Sequence, residues 1–435
     1  MNAQRLPWQE QPRPLTVDEI LRRNPEARNK ALLPHEPSIA SMMALADCVA
    51  RVPTASVLEH LRAFNNLLGN ERALPLVEQL LEPGCVVTTA GQQPALFGGP
   101  LLALHKAAGA VLLARELRAV ARRPVVPIYW VHDVDHDLGE ANRALVPTSG
   151  DFEQVRVPLV HNGQPLERYR LDADCAELIA QWTQKLGMAA GSALDPRAGE
   201  PLSQWSTRAL LAALPENMPI VCASAAALSR SGRPFLEELH ARHHEIQRAA
   251  ENGARAVQEA GLVPQVNPRS GSRVWMIDEH GVRRPANEAL GSESELSPGA
   301  LLRPLLEQWL LPVVAHVNGP AENAYFAQLA PMFACLALPT PVAFPRPSIF
   351  WANSSTQRLL LEQHLEAADV VRGVEHWPRE AGDGARVHVL ASRLWPQGRP
   401  QERKHHWWAI SQAPANALER YDVLDLRISV MTHDA

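Results

Sequence analysis

The chain has 435 residues, of which 46% are hydrophobic and 20% are charged, and its formal net charge at pH 7 is −5. This hydrophobic content is too high for a disordered chain, and the acidic balance provides no basic surface for nucleic acid. The length is enough to bury a full core and suggests two or three domains, or one large domain with insertions. We therefore expect a soluble globular protein whose partners are small molecules rather than nucleic acid.

The cysteines and the first residues of the chain bear on the compartment. The chain has five cysteines, widely spaced and mostly within apolar runs: Cys48, Cys85, Cys175, Cys222 and Cys335. An odd number without a Cys-x-x-Cys pair does not indicate a zinc or redox site. Residues 1–15 are polar and proline-rich rather than a secretory leader, and no apolar run free of Pro and charge reaches membrane-spanning length. We therefore expect buried, reduced thiols in a cytoplasmic protein that does not bind membranes.

Residues 1–84 are predicted to be largely helical. Apolar residues recur at helical spacing from Pro37 to Val52 and from Ala55 to Leu68, and a shorter segment from Leu74 to Leu81 leads into the first strand. We interpret this region as an N-terminal helical segment that packs on the core.

Residues 85–150 contain a strand, a glycine loop, a helix and a second strand. Cys85 to Thr89 is a β-branched run, and the segment from Gly91 to Gly99 is a loop. Apolar residues then recur at helical spacing from Leu101 to Val120, and Val125 to Val131 is a continuous apolar run typical of a buried parallel strand. This order predicts a βαβ unit, the first half of a parallel α/β core.

The polar residues around this unit predict a binding crevice. Ligands of such sheets lie beyond the carboxyl ends of the strands, so Gln92 and Gln93 should face the polar residues that follow the second strand. Those residues are Asp133, Asp135, His136 and Asp137.

A helix beginning at Pro100 would add an anion site to this crevice. Its free N–H groups would point toward the ligand, and His105 and Lys106, about one turn along the helix, would complete the site. Gly98 and Gly99 would allow the loop to approach the ligand closely.

The middle of the chain combines insertions with a further core strand. Residues 151–218 are a polar, turn-rich connecting insertion with helices predicted from Ala176 to Leu186 and from Leu202 to Leu214. Residues 219–232 return to the core, where the apolar run from Pro219 to Ala223 predicts a third parallel strand.

Residues 233–300 form a second connecting insertion. A long polar helix is predicted from Arg233 to Ala260, followed by a hairpin from Arg273 to Gly281. His243 and His244 are adjacent, and adjacent side chains point about 100° apart on a helix. We therefore interpret the two histidines as part of a solvated face rather than a metal site.

Residues 301–353 repeat the strand, loop and helix pattern and form the second half of the core. A strand is predicted from Pro312 to Val317, a helix from Glu322 to Phe333 after a Gly-Pro turn, and a last strand from Thr340 to Phe344. Both strand ends should return to the same rim of the sheet. Three further charged residues would then join the crevice: Arg303, Glu322 and Arg346.

These motifs resemble, in order and spacing, those of the bacillithiol biosynthesis cysteine-adding enzymes, the BshC family. The first matching block comprises Gly91, Gln92, Gln93, Gly99, Pro100, His105, Lys106, Trp130, Asp135, His136, Asp137 and Glu140. The second comprises Arg303, Pro304, Gly319, Pro320, Ala321, Glu322, Tyr325, Pro345 and Arg346, and a closing motif comprises Gly398 with Gln401, Glu402 and Arg403. Several separated motifs in matching order are a stronger signal than a single glycine motif.

The resemblance implies a Rossmann-like core, related to nucleotidyl transferases and class I aminoacyl-tRNA synthetases, with connecting insertions and a long coiled coil. It also implies a ligase that joins cysteine to glucosaminyl malate through an amide bond, giving bacillithiol. A carboxylate is a poor electrophile, so the reaction requires activation, normally with ATP, and an amine with a base nearby. ATP is therefore the implied cofactor, although no synthetase loop of the Lys-Met-Ser-Lys-Ser type is present, and no metal is expected.

The resemblance further suggests roles for individual residues. The expected catalytic residues are Asp135, His136, Asp137, His105 and Lys106. The expected substrate-binding residues are Gly91, Gln92, Gln93, Gly99, Pro100, Trp130, Glu140, Asn142, Arg303, Gly319, Glu322, Tyr325 and Arg346. Asp135, His136 and Asp137 would hold and deprotonate the attacking amine. Arg303 and Arg346 would bind the malate carboxylates, because guanidinium groups bind carboxylates bidentately.

The chain departs from the family pattern in three respects. Val134 stands where the family often has an acid, and Ala321 stands where it usually has glycine. Only residues 354–377 stand where the long coiled coil should begin, before a tail at 378–435 that carries the closing motif. Because about two heptads are too few for a stable two-chain seam, we expect the coiled-coil dimer of the family to be lost.

Two alternative functions are consistent with the same residues. A metal-dependent hydrolase could use His132, Asp133, Asp135 and His136, whose ligand types suit zinc or manganese. A binding protein that has lost turnover together with the coiled coil is the second alternative.

Overall fold

The computed structural model describes residues 32–147, 152–185, 194–197, 199–286, 290–291, 294–346 and 361. The helix predicted at 354–377, except for Leu361, and the tail at 378–435 therefore lie outside the described residues. The expectation of a lost coiled-coil dimer depends on those segments and stays a prediction.

The strands form one large parallel sheet and two small antiparallel ones. In chain order they are β1 (Val86–Gln92), β2 (Val125–Val131), β3 (Arg143–Pro147), β4 (Phe152–Arg156), β5 (Val221–Ser224), β6 (Val274–Ile277), β7 (Arg283–Pro285), β8 (Glu295–Pro298), β9 (Val313–Asn318) and β10 (Val342–Pro345). The α-helices are α1 (Ile39–Val49), α2 (Ala55–Leu68), α3 (Leu74–Gln79), α4 (Leu101–Ala121), α5 (Leu138–Ala141), α6 (Ala173–Lys185), α7 (Leu202–Ala213), α8 (Ala225–Ser231), α9 (Arg233–Ala241), α10 (His243–Glu259), α11 (Pro268–Gly271), α12 (Arg303–Leu310), α13 (Pro320–Phe326) and α14 (Ala330–Cys335).

The large sheet has five parallel strands in the spatial order β10, β9, β1, β2, β5. The chain winds from β1 outward to β2 and β5, and then returns to the other side of β1 to form β9 and β10. The predicted α/β fold class is confirmed, and each of these strands lies where the sequence predicted one. The predicted start of the glycine loop is wrong, because β1 continues through Gly91 and Gln92, which pair with β2. The direction of winding reverses between β1 and β9, which is where ligands of such sheets bind.

Helices cover both faces of this sheet. One buried cluster joins α1 and α4 to one face, with Met42 and Leu104 among its members. A second cluster joins α3, α8, α9 and α12 to the other face, with Leu236 and Leu305 among its members. Because both faces are covered, every residue of β2 is buried, which is why this strand reads as an unbroken apolar run.

Two predicted single helices are each divided in the structure. The helix predicted from Arg233 to Ala260 is α9 and α10, separated by Arg242, which leaves helical geometry and whose guanidinium bonds carboxylates on both sides, Glu238 and Glu245. The helix predicted from Glu322 to Phe333 is α13 and α14. Residues 327–329 separate them, and Pro331 lies in the first turn of α14, where its missing N–H costs no hydrogen bond within that helix.

Both insertions contain small antiparallel sheets. Strand β4 of the first insertion pairs with β3, which lies in the segment predicted to be the first half of the core. The hairpin predicted in the second insertion is confirmed as β6 and β7, and β8, which was not predicted, completes a three-stranded sheet with them. Within the described ranges, no helix is both long and apolar enough to cross a membrane. All five cysteines are free, but the expectation that they are buried is wrong for Cys48, which is exposed, and for Cys335, which is only partly buried.

The glycine loop packs differently from the prediction. Gly98 has a φ of +90°, and a Cβ atom there would lie 2.6 Å from the backbone N of Leu210 in α7. The close approach that this glycine permits is therefore to a helix of the insertion and not to a ligand.

Replacing Gly98 with alanine should lower the free energy of unfolding through two separate effects. The positive φ costs about 1–2 kcal/mol for a residue with a Cβ atom, and the contact with the α7 backbone adds about 1–3 kcal/mol. Gly69→Ala is the matched control, because its φ is +70° and nothing lies within 4 Å of the added atom. Equal losses for the two variants in chemical denaturation would contradict the close packing of the loop.

Candidate active site

The carboxyl ends of β1, β2, β9 and β10 lie at one edge of the sheet, at the point where the winding reverses, and we call the region beyond them the crevice. The residues that follow these strands are rich in charge, as the sequence predicted. Lys106 reaches this rim from α4, and Glu322 reaches it from α13. Two charged clusters result, one on each side of the β1 end.

The first cluster is centred on the ammonium group of Lys106, which is buried. Its Nζ donates to the carbonyl oxygen of Gly91 at 2.9 Å and to Oε1 of Gln92 at 2.6 Å, and it lies 2.5 Å from Oε2 of Glu322. Burial lowers the pKa of Lys106, while the charge of Glu322 opposes that change. Because all three N–H groups have protein acceptors, Lys106 holds the strand ends together rather than presenting a free cation.

Glu322 connects this cluster to β9 and β10. Its Oε2 also accepts a hydrogen bond of 2.6 Å from the backbone N–H of Gly319, which closes the first turn of α13. The guanidinium of Arg346 lies beside this turn, since a Cβ atom on Gly319 would be 3.5 Å from its Nε. Burial lowers the pKa of Arg346, and the charge of Glu322 opposes the effect.

The second cluster is centred on Asp135, which follows β2. Its Oδ2 accepts from Nη2 of Arg303 at 2.9 Å, and its Oδ1 accepts from the backbone N–H of His136 at 2.8 Å. Burial opposes ionisation of Asp135, but Arg303 and the hydrogen bonds of His136 and Gln93 outweigh it and hold its pKa well below the usual range. Asp135 is therefore a carboxylate with no tendency to accept a proton near neutral pH.

The imidazole of His136 lies beside this carboxylate and is half exposed, with Nδ1 3.4 Å from Oδ1 of Asp135. A second guanidinium, that of Arg283 in β7, approaches Nδ1 of His136 at 3.3 Å. Arg283 is held in place by the Trp275 ring, 4.8 Å away, and by the oxygens of Ser297 and Pro298. Burial lowers the pKa of Arg283 to about 10, with a further contribution from the charge of Arg303.

Sequence reasoning missed Arg283 because no motif surrounds it, and its position depends on the pairing of β7 with β6. It also missed a buried pair on β9 and α12, in which Nε2 of His316 lies 2.7 Å from Oε2 of Glu307. Nδ1 of His316 lies 2.9 Å from Oδ1 of Asn318. Sequence reasoning treated His132 only as a possible metal ligand. Its ring lies over Gly91, since a Cβ atom added to Gly91 would be 2.5 Å from Nε2 of His132.

Several predicted site residues have structural positions or contacts in the fold. Trp130 is fully buried in the core, Gly99 lies in a buried turn, and Pro100 is the partly buried N-cap of α4. Asp137 caps α5 by accepting from the N–H of Glu140 at 3.2 Å, and both of these side chains are exposed to solvent. Asn142 is buried beside the β3–β4 hairpin, where it bonds the Val157 carbonyl.

Two predicted residues lie next to the clusters: His105, which is buried, and Tyr325, which is partly buried. Burial and, secondarily, the charge of Arg346 hold the pKa of His105 well below its usual range, so this imidazole is neutral. Burial and the charge of Glu322 raise the pKa of Tyr325 well above its usual range, so this phenol is also neutral.

The metal-site interpretation requires His132, Asp133, Asp135 and His136 to converge, and they do not. Both oxygens of Asp133 are directed toward α8, where they accept from Oγ of Ser224 at 2.7 Å and from the N–H of Ala226 at 2.9 Å. Over the part of the chain that the structure covers, no three His, Cys, Asp or Glu side chains are arranged to hold a metal ion. The hydrolase alternative is therefore not favoured.

Comparison with known proteins agrees with this architecture. Residues 43–347 match a family model described as the N-terminal Rossmann-like domain of the bacillithiol biosynthesis protein BshC. The chain belongs to the BshC family. The match includes every strand of the parallel sheet and both charged clusters.

Individual BshC relatives carry the name "Putative cysteine ligase BshC". One from Koribacter versatilis is 30% identical over 357 residues, which is 75% of this chain and 65% of the relative. One from Desulforamulus reducens is 24% identical over 363 residues, which is 74% of this chain and 66% of the relative. The matched region thus spans just under two thirds of the length of these relatives.

Two positions at which this chain departs from the BshC family pattern have a simple structural explanation. Val134 is buried in the core beside β2, so an acid at this position would lose its solvation. Ala321 lies in the first turn of α13 and is exposed, so this position accommodates a side chain and does not require glycine.

Asp135→Asn should make the stability of the protein less dependent on pH in acid. The pKa of Asp135 is lowered in the folded state, so its contribution is present above the ordinary value of about 3.9 and is lost as pH falls below it. The difference in free energy of unfolding between wild type and variant should therefore be largest near pH 6 and shrink below about pH 4. A difference that stays constant from pH 6 to pH 3 would contradict the ion pair with Arg303.

Proposed function

We propose that this BshC protein is a ligase that joins the carboxylate of cysteine to the amine of glucosaminyl malate through an amide bond, giving bacillithiol. Family membership supports the ligase class and the thiol pathway, since the relatives are named cysteine ligases. The charges of the crevice support the substrate.

The observation that carries this proposal is the excess of positive side chains over carboxylates in the crevice. Arg283 and Arg303 flank a single carboxylate, Asp135. Arg346 and Lys106 likewise flank Glu322. Among the residues that the structure describes, each cluster therefore has more positive than negative charge, and malate provides two carboxylates that guanidinium groups bind bidentately.

His136 is the group that we assign as the base for the attacking amine. It is half exposed and lies beside Asp135, whose carboxylate stays ionised and can orient the imidazole. Asp135 itself cannot act as the base, because Arg303 holds its pKa too low. We assign Asp137 to capping α5.

Activation of the cysteine carboxylate requires a further reactant, and we propose ATP for this role. The turn at Gly98 does not fit a phosphate, because the backbone of α7 fills the space beside it and Lys106 is occupied by three protein acceptors. We therefore assign no step to this turn.

Product formation tests the proposal directly. The purified full-length protein with cysteine, glucosaminyl malate and ATP should form bacillithiol, detected by mass spectrometry. His136→Ala should reduce turnover about a hundredfold or more, as expected for loss of a general base. Asp137→Asn is the control, because asparagine caps helices as well as aspartate and should leave turnover unchanged. Absence of product in the wild type, or full turnover in His136→Ala, would refute the assignment.

Arg283→Met should weaken binding of glucosaminyl malate about tenfold to a hundredfold in calorimetry, because a charge-assisted hydrogen bond to a carboxylate is lost. Arg284→Met is the matched control on the same strand, since Arg284 is exposed and pairs with Asp278 away from the crevice. Equal effects of the two substitutions would contradict a substrate contact by Arg283.

A further inference from the structure

Three buried polar atoms have no hydrogen-bond partner among the described residues: Nδ1 of His132 after β2, Nδ2 of Asn318 at the end of β9, and Nε of Arg303 at the start of α12. A buried polar atom without a partner costs about 1–3 kcal/mol, so such atoms are rare in folded proteins. Asn318 is 1% exposed, so its amide is out of reach of bulk solvent. Unpartnered atoms at a strand end of an α/β sheet indicate the place of a ligand.

These atoms belong to residues near the same edge of the sheet, so the space beyond that edge is where a shared ligand would lie. Strand β1 lies between β2 and β9, and Thr89 of β1 is directly opposite His316 of β9. Two residues further along, Gly91 has no side chain, and the ring of His132 occupies the room beside it. The charges of Arg303 and His316 both lower the pKa of His132, after burial, so the three groups are neighbours.

A chain of hydrogen bonds determines which end of the Asn318 amide faces this space. Glu307 and His316 are 3% and 4% exposed, and they are joined by the 2.7 Å contact between Oε2 and Nε2. A carboxylate buried this deeply requires a positive partner. Burial disfavours the imidazolium of His316, but Glu307 outweighs burial and raises its pKa.

When both ring nitrogens of His316 carry protons, Nδ1 must donate, and the group 2.9 Å from it must be the amide oxygen of Asn318. The amide nitrogen then points away from His316. Its two N–H donors are the groups left for an oxygen of a ligand.

We propose that Nδ2 of Asn318 donates a hydrogen bond to a carboxylate oxygen of the substrate, and that the Glu307 and His316 pair positions the amide for this contact. The proposal rests on the proposed function for the identity of the substrates. Cysteine and malate both provide carboxylates, so the experiment must distinguish them. Asn318 is then a substrate-binding residue, and Glu307 and His316 are positioning residues.

Deprotonation of His316 would reverse the amide. Nε2 of His316 keeps its proton and continues to donate to Glu307, so Nδ1 is the nitrogen that loses its proton and becomes an acceptor. The Asn318 amide must then rotate to donate to Nδ1, which presents its oxygen to the substrate. The titratable groups facing His316 are Glu307 of α12, Glu322 of α13 and His132 after β2, while Thr89 of β1 does not titrate. Because Glu307 raises the pKa of His316, binding should persist to higher pH and then fall as pH rises.

The first test measures binding of L-cysteine and of L-malate, in separate titrations of the full-length protein by calorimetry. Asn318→Asp and Asn318→Ala should each weaken the binding of one of these ligands by about tenfold or more. The alanine variant tests the loss of the amide without adding a charge. The weakened ligand identifies the carboxylate that Asn318 binds. Asn65→Asp is the matched control, because Asn65 is another fully buried amide, bonded to Leu61 and Cys222 away from the crevice. Its affinities should be unchanged.

The second test measures the same affinity as a function of pH in Glu307→Gln. Loss of the carboxylate lowers the pKa of His316, so the fall in affinity on the alkaline side should move to lower pH, and Glu307→Asp should restore it. A purely structural role would lower the melting temperature without moving the pH dependence. Wild-type protein that binds neither ligand, unchanged affinity in both Asn318 variants, or an unmoved pH dependence would overturn the proposal. Binding that depends on Asn318 without bacillithiol formation would refute the proposed function alone.

Discussion

The buried ammonium group of Lys106 joins the two halves of the parallel sheet. Its acceptors are Gly91 and Gln92 at the end of β1 and Glu322 at the start of the helix that follows β9. The chain winds in opposite directions from β1 and β9. The contact of Lys106 therefore links the end of β1 to the turn after β9, in addition to the backbone hydrogen bonds between these strands. Removal of one partner from a buried ion pair costs about 3–5 kcal/mol, because the other charge is left without compensation. The geometry of the crevice depends on this contact.

The role of Lys106 changes which groups of the crevice can recognise an anion. A lysine near the start of a long helix usually suggests a phosphate or carboxylate ligand. Here its three donors are satisfied by the protein, and recognition of an anion is left to the guanidinium groups. Those groups come from separate parts of the chain: Arg303 from the start of α12, Arg346 from the end of β10, and Arg283 from an insertion.

The second insertion therefore supplies a charged side chain, that of Arg283, to the crevice. Its three-stranded sheet holds Arg283 over Trp275 and directs the guanidinium toward His136. The first insertion has a different effect, since α7 packs against Gly98 and closes the glycine loop. One insertion thus supplies a charge to the crevice, and the other removes the space that the loop would otherwise offer to a ligand.

The sequence by itself determined the parallel sheet, because a strand buried on both faces must be apolar throughout, and the run from Val125 to Val131 meets that requirement at every position. It also placed Lys106, Asp135, Arg303 and Glu322 near one rim, since parallel strands end at the same edge. Local pattern could not show that Asp137 caps a helix or that Trp130 belongs to the core, because an exposed acid and a buried aromatic fit either role. Only the tertiary structure decided the partners: Arg283 meets His136 across 147 positions of the sequence, and Arg303 meets Asp135 across 168. Such pairs depend on how separate elements pack, and neither side chain carries a sign of its partner in the residues around it.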